Sequence, residues 1–140
     1  MNPTQPELIL TIGIQAAGKS TWCREHLWHT HMRLNRDLLR TAHREDVLFH
    51  AGLAVGASMV IDNTNVTAKA RARYIRAALA ADYIVAAAYF PIAPDEALKR
   101  NASRPGKQRV PDRAILGTLA KLEPPTPDEG FTCIQTIEAP

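Results

Sequence analysis

The run Glu7-Leu8-Ile9-Leu10-Thr11-Ile12, followed by Gly13-Ile14-Gln15-Ala16-Ala17-Gly18-Lys19-Ser20, decides the architecture. Its first half is short, β-rich and closed by glycine, the pattern of a buried parallel strand. From Lys19 to about His29 the spacing turns helical. A strand that passes through a glycine-rich turn into a helix opens a domain of alternating strands and helices.

The rest of the chain keeps that alternation. Met32 to Asn35 reads as a short second strand, and Arg36 to about Ala51 as a helix with Leu39, Val47 and Leu48 available for one face. Ser58 to Asp62 is a third strand, ending in an acid. Thr67 can cap the next helix, whose stripe is Ala70, Tyr74, Ala77 and Ala78. Tyr83 to Phe90 is apolar without alternation, as in a strand covered on both faces. Pro94 opens a helix to about Ser103. A loop rich in breakers and cations, Arg104 to Val110, reads as mobile, and a helix from Pro111 to about Leu122 follows. A Pro-rich linker from Glu123 leads to an edge strand over Thr132 to Ile137. One α/β domain with a mainly parallel sheet is expected over residues 1–140.

Gly13 to Ser20 fits G-x-x-x-x-G-K-[ST] at every position. Gly13 and Gly18 let the backbone turn tightly, so that N–H groups through Ala16 and Ala17 converge on a phosphate. The helix entered through Lys19, Ser20 and Thr21 turns its positive end to the same anion. Lys19 suits the β- and γ-phosphates of ATP, and the Ser20 hydroxyl suits Mg²⁺. Asp62, ending its strand, is the second candidate for the metal, with a turn-capping role as the plainer alternative. Asn63, Thr64 and Asn65 extend the polar end of the sheet, where ligands of such folds bind.

A phosphoryl acceptor needs a base for its hydroxyl. Asp37 lies just past the second strand, and Arg40, one turn on, would share its face and grip an acceptor phosphate. An exposed helix start explains the pair equally well. Arg100 and Arg104, four apart, project from one side of a helix end, where they would neutralise charge developing during transfer. A solvated basic helix end accounts for them as readily.

Together these segments resemble the kinase domain of the polynucleotide 5′-kinases of phage and animal end-healing enzymes. Ile9 to Gly13 and Gly18 to Trp22 resemble the first strand and cradle of the phage enzyme; Asn35-Arg36-Asp37 with Arg40 match its base-bearing segment. Ile61 to Asn65 and Arg71 to Tyr74 resemble the animal enzymes. Arg100-Asn101, Arg104 and Val110-Pro111 match the family lid, placed at about 100–112. The likeness runs from about Leu8 to Leu122. It implies a P-loop, adenylate-kinase-like three-layer fold with strand order 2-3-1-4-5. It implies Asp37 as the base for the 5′-hydroxyl, and Arg40, Thr64 and Asn35 on the acceptor side. Arg100 and Arg104 would hold ATP phosphates. The implied partners are 5′-OH ends of DNA or RNA and a nucleoside triphosphate, with a homodimer or higher homo-oligomer also in view. Asn63 stands where the phage pattern has Asp, and the lid runs one residue longer.

A net charge of +3 suits a phosphate-rich partner without requiring one. No run is apolar enough to cross a bilayer, and Met1 to Pro6 lacks the pattern of a signal peptide, so the cytoplasm is expected. Cys23 and Cys133 read as reduced, packed thiols. No Asp-x-Asp pair occurs, so the aspartate-based phosphatase joined to this kinase in end-healing enzymes is not expected here. His26, His29 and His31 read as surface residues rather than a zinc site. Lys69, Arg71, Arg73 and Arg76 suit a solvated helix face, or else a nucleic-acid backbone. Trp22 and Trp28 read as core. Two other functions stay open: a P-loop kinase for a nucleoside, metabolite or antibiotic, and an ATP-sensing module without transfer.

Overall fold

The computed structural model describes residues 5–138. Met1 to Thr4, four of the six residues read above for targeting, lie outside them. Five parallel strands form one sheet in the order β2-β3-β1-β4-β5: β1 (Glu7–Ile12), β2 (Met32–Leu34), β3 (Met59–Ile61), β4 (Ile84–Tyr89) and β5 (Cys133–Thr136). The expected order 2-3-1-4-5 is the observed one. β1 is central, with Leu8 opposite Met59 on one side and Val85 on the other.

Strand side chains alternate between faces, so β1 feeds two cores. Leu8, Leu10 and Ile12 join Phe49 of α3 (Ala42–Val55) and Tyr74, Ile75 and Ala78 of α4 (Ala68–Ala80). Ile9 joins the other core, with Cys23 and Leu27 of α1 (Lys19–Leu27), Ala97 of α5 (Pro94–Ala102) and Ile115 of α6 (Asp112–Lys121). Burial on both faces explains why the strands lack alternation in sequence. It also leaves the carboxyl ends of β1, β2 and β3 together.

Local chemistry sets the helix ends. The Thr41 and Thr67 side chains accept from Arg44 N and Ala70 N, capping α3 and α4. Gly56, at φ 68°, closes α3 in the left-handed region that glycine tolerates.

Several expectations need correction. The helix expected from Arg36 to Ala51 is two, because α2 (Arg36–Leu39) stops at Arg40, whose φ is 76°. Its inner face is Glu45, Phe49 and Gly52, while Val47 and Leu48 are exposed. Thr41 restarts the helix, which rotates the later residues out of the register that the continuous reading assumed. On α4, Ala70 is exposed and Arg71 buried, because a distant carboxylate meets that arginine inside the fold. Trp28 is 71% exposed, since α1 ends before it; Trp22 packs edge-on against Phe90. Cys133 is exposed on edge strand β5, whereas Cys23 is buried. The 104–110 segment contains a 3₁₀ turn over Gly106–Gln108. Among the described residues no helix is long and apolar enough to cross a membrane.

Candidate active site

The cradle is built where β1 runs into α1. Gly13 N donates to the Thr64 carbonyl at 3.1 Å, tying the loop to the end of β3. A Cβ on Gly13 would press on Phe90 at 3.0 Å, which fixes glycine there. Ala16 and Gly18 take φ of 67° and 97°. Such left-handed steps within the loop turn successive N–H groups inward, as an anion-binding nest requires. Gly18 is the N-cap of α1 and places no side chain over its end, so the first N–H groups of the helix face the loop.

The Lys19 ammonium donates to the carbonyls of Gly13 (2.9 Å) and Ile14 (2.6 Å). Burial lowers its pKa to about 8, against the opposing pull of the Asp62 charge. A cation so poorly solvated gains strongly from an incoming phosphate. The Arg104 Nη1 and Gln15 Oε1 atoms are buried without a hydrogen-bond partner among the described residues. Both residues line one cleft of about 900 Å³ together with the cradle. Buried donors are rarely left unmatched, and a guanidinium N–H in such a position fits an anionic ligand. Arg100, held by Glu96 at 3.1 Å, lies with Nη1 3.9 Å from where a Gly18 Cβ would stand. Asn101 pins the base of the lid segment: its Nδ2 donates to Val110 O (2.6 Å) and its Oδ1 accepts from Val110 N (3.0 Å).

Asp62 directly follows β3 and is 1% exposed. Ser20 Oγ donates to its Oδ2 at 2.9 Å. A carboxylate and a hydroxyl in reach of each other, both hard oxygen donors, suit magnesium. Arg33, which the sequence reading passed over, donates to the same Asp62 oxygen at 2.7 Å and to Ser20 Oγ at 3.3 Å.

Asp37 stands in the first turn of α2, exposed to solvent, and lines the cleft. Asn35 positions it: Asn35 Oδ1 caps Leu38 N at 2.9 Å, and its Nδ2 donates to Asp62 O at 2.6 Å. Its amide is therefore engaged with backbone, although it does line the cleft. Asn63 Oδ1 accepts from Arg36 N at 2.9 Å, and its Nδ2 donates to Glu45 Oε2 at 2.9 Å. Glu45 is wholly buried and also meets Arg36, Arg73 and the Tyr74 hydroxyl. Burial raises its pKa, but these donors outweigh it and the net shift is downward. Burial and the bond to Glu45 push the Tyr74 hydroxyl up to about 12. This network braces α2, and with it Asp37, against α3 and α4.

Ala16, Ala17, Ser20, Thr21, Thr64 and Arg100 line the same cleft, whereas Arg40 does not. The helix turn expected to carry Asp37 and Arg40 on one face is not completed, because α2 ends at Leu39 and Arg40 takes a positive φ beyond it. On that side Arg36, Lys69 and Arg73 line the cleft instead. Among the described residues no three His, Cys, Asp or Glu gather as metal ligands; His31 pairs with Glu7 at 2.8 Å.

The sequence model of a family described as the AAA domain matches residues 8–125. The chain belongs to that family. Its fold is shared with solved structures named as kinases, and Gly13 to Ser20 carry the P-loop pattern, which implies binding of an ATP-like nucleotide. The bifunctional polynucleotide phosphatase/kinase of Schizosaccharomyces pombe is 25% identical over 135 residues, or 94% of this chain. The chain spans about a third (33%) of the length of that curated relative. Among solved structures, Chaetomium thermophilum Kti12 in complex with ADP-AlF3 superposes with a TM-score of 0.72 at 14% identity, covering 94% of this chain and 88% of that one. A gluconokinase from Sinorhizobium meliloti 1021 gives 0.65 at 15% identity, with 96% and 83% covered.

Proposed function

We propose that the chain transfers the γ-phosphate of ATP to the 5′-hydroxyl end of a polynucleotide. The observation that carries this reading is a single cleft joining the phosphate cradle to Asp37. The matched relative, named as a bifunctional polynucleotide phosphatase/kinase, supports the choice of acceptor.

On this reading the loop N–H groups and Lys19 bind the β- and γ-phosphates of the donor. Arg100 and Arg104 meet the charge that develops as the phosphoryl group moves. Asp37 takes the proton of the acceptor hydroxyl, which its exposed place on the cleft wall leaves it free to meet. Ser20 and Asp62 would hold magnesium, which when bound neutralises phosphate oxygens. Thr64, whose carbonyl fixes Gly13, lines the acceptor side, and Asn35 holds Asp37 in place. Arg40 does not line the cleft, and on this reading it would meet a phosphate of an acceptor strand that leaves it.

That position of Arg40 favours a second reading, a kinase for a small hydroxylated molecule, which has no chain to leave the cleft. Transfer of label from γ-labelled ATP·Mg²⁺ to paired 5′-OH and 5′-phosphate oligonucleotides, both DNA and RNA, tests the two. Label on 5′-OH strands alone is expected, with Lys19→Ala as blank. Asp37→Asn should cut transfer by roughly 10²- to 10⁴-fold while nucleotide affinity holds. Unimpaired transfer in that variant removes Asp37 as base, and label on nucleosides or metabolites but no oligonucleotide selects the second reading.

A further inference from the structure

Asp62 is a carboxylate withdrawn almost completely from water, and a buried charge needs a partner. Its nearest cation is Arg33. Strand alternation explains how: Leu34 points into the α3–α4 core, so Arg33 beside it points to the opposite, α1 side of the sheet, where Ser20 also stands. The guanidinium takes the same two groups that suit a metal, Asp62 Oδ2 at 2.7 Å and Ser20 Oγ at 3.3 Å. Arg33 is not trapped there. Its side chain is 36% exposed, and a second cavity of about 360 Å³ opens beside it, lined by Ser20, Cys23, Leu27, Trp28 and His31. The arginine thus has both a reason to sit on the metal-holding oxygens and somewhere to go.

We propose that Arg33 is the resident cation of this site, which neutralises Asp62 and excludes a free divalent ion until nucleotide phosphates draw the metal in. A guanidinium is always charged and binds a carboxylate through directed N–H bonds, so a lone dication must displace it at a cost. A metal arriving with a triphosphate gains further ligands that a lone ion lacks. Metal binding is thereby coupled to nucleotide binding. Arg33 is a positioning residue in this scheme. The inference rests on Ser20 and Asp62 as the metal-holding pair and is independent of the acceptor.

The test uses Mn²⁺ as probe, titrated by electron paramagnetic resonance into nucleotide-free protein, so it involves no transfer and no acceptor. Wild type should bind weakly. Arg33→Met should bind roughly tenfold or more tightly, because Asp62 is then left without its cation. Adding Asp62→Asn to that variant should erase the gain. Thermal melts give a second readout: Mg²⁺ should raise the Tm of Arg33→Met more than that of wild type, since at a given concentration a tighter ligand stabilises the folded state more. Arg33→Gln, neutral but still a donor, replaces the methionine variant if that one fails to fold, with the same expectation. Equal or weaker Mn²⁺ binding in the neutral variants overturns the proposal. So does a gain that survives Asp62→Asn, which would put the ion elsewhere. Transfer failing on every acceptor while these Mn²⁺ results hold would overturn the acceptor reading alone.

Discussion

Arg71 and Arg104 are arginines with N–H groups withdrawn from water, the first on α4 and the second in the lid segment. Arg71, on α4, is 0% exposed, and its guanidinium meets four acceptors. Two are the Glu129 carboxylate oxygens at 2.7 and 3.0 Å; the others are the carbonyls of Asn65 (2.8 Å) and Glu123 (3.0 Å). Arg104, in the lid segment, keeps Nη1 buried with no acceptor among the described residues, in the cleft beside Lys19. A buried cation with a full set of partners is a clamp: here it ties the β3–α4 loop to the segment that leads into β5. A guanidinium N–H buried without an acceptor is matched only when an anion binds. The difference separates the residues that hold the cleft from those that use it.

The largest expected effect breaks the clamp. Glu129→Ala should cost about 3–5 kcal/mol in urea denaturation, because it strands the Arg71 charge inside the protein. Transfer per folded molecule should change little. A loss under about 1 kcal/mol would mean that Arg71 finds water, and the contrast with Arg104 would weaken.

Arg104→Ala should do the reverse. Removing a donor aimed at transferring phosphate should lower the rate by about 10²- to 10³-fold. Stability should stay within about 0.5 kcal/mol of wild type, since no contact inside the fold is lost at Nη1. Destabilisation on the scale of Glu129→Ala would reclassify Arg104 as a second clamp.

Acid sharpens the same comparison. Burial pushes the Glu129 carboxyl up, but the Arg71 bonds outweigh that and hold its pKa below the usual 4.5. A carboxylate depressed on folding stabilises fully above its unfolded pKa, and that stability is lost as pH falls through the folded one. Urea midpoints should therefore fall as pH drops below about 4.5. The Glu45 carboxyl is depressed in the same direction, by Arg36, Tyr74 and Asn63 against its own burial. Glu129→Gln should flatten part of the acid slope and leave the part due to Glu45.

Much of this arrangement was legible in the chain. The cradle, the strands and the acid just past β3 are carried by local patterns: a glycine spacing, unbroken apolar runs and a strand terminus; the strand order came from the family resemblance. What escaped was non-local or too short to show a period. Arg71 and Arg73 are two residues apart on one helix, and nothing near them says that Arg71 is the buried one, held by a carboxylate 58 positions away, while Arg73 stays exposed. Arg33 sits in a strand of three residues, too brief for alternation to mark its face. The α2–α3 break did leave a signal, since Thr41 is a good N-cap, but the apolar spacing across it looked continuous. Arg40 lost its expected place for that reason.

The smallest effect asks whether clamp and cleft are truly separate. Thr67 Oγ1 accepts from Ala70 N at 3.0 Å and starts the helix that carries Arg71. Removing an N-cap oxygen costs typically about 1 kcal/mol. Here the helix start has further support, since Glu123 Oε2 accepts from Ala68 N at 3.2 Å and Glu123 N donates to Val66 O at 2.7 Å. Thr67→Ala should therefore fall at the low end, about 0.5 kcal/mol, by urea denaturation. Asn65 is the route by which the change could travel, because its carbonyl is bound by Arg71 and its Nδ2 donates to Thr11 O at 2.8 Å, at the mouth of the cradle. If that path is stiff, transfer per folded molecule stays at the wild-type rate. A several-fold loss at so small a cost in stability would show that α4 sets the cradle's geometry, and the line between holding and using the cleft would have to be redrawn through Asn65.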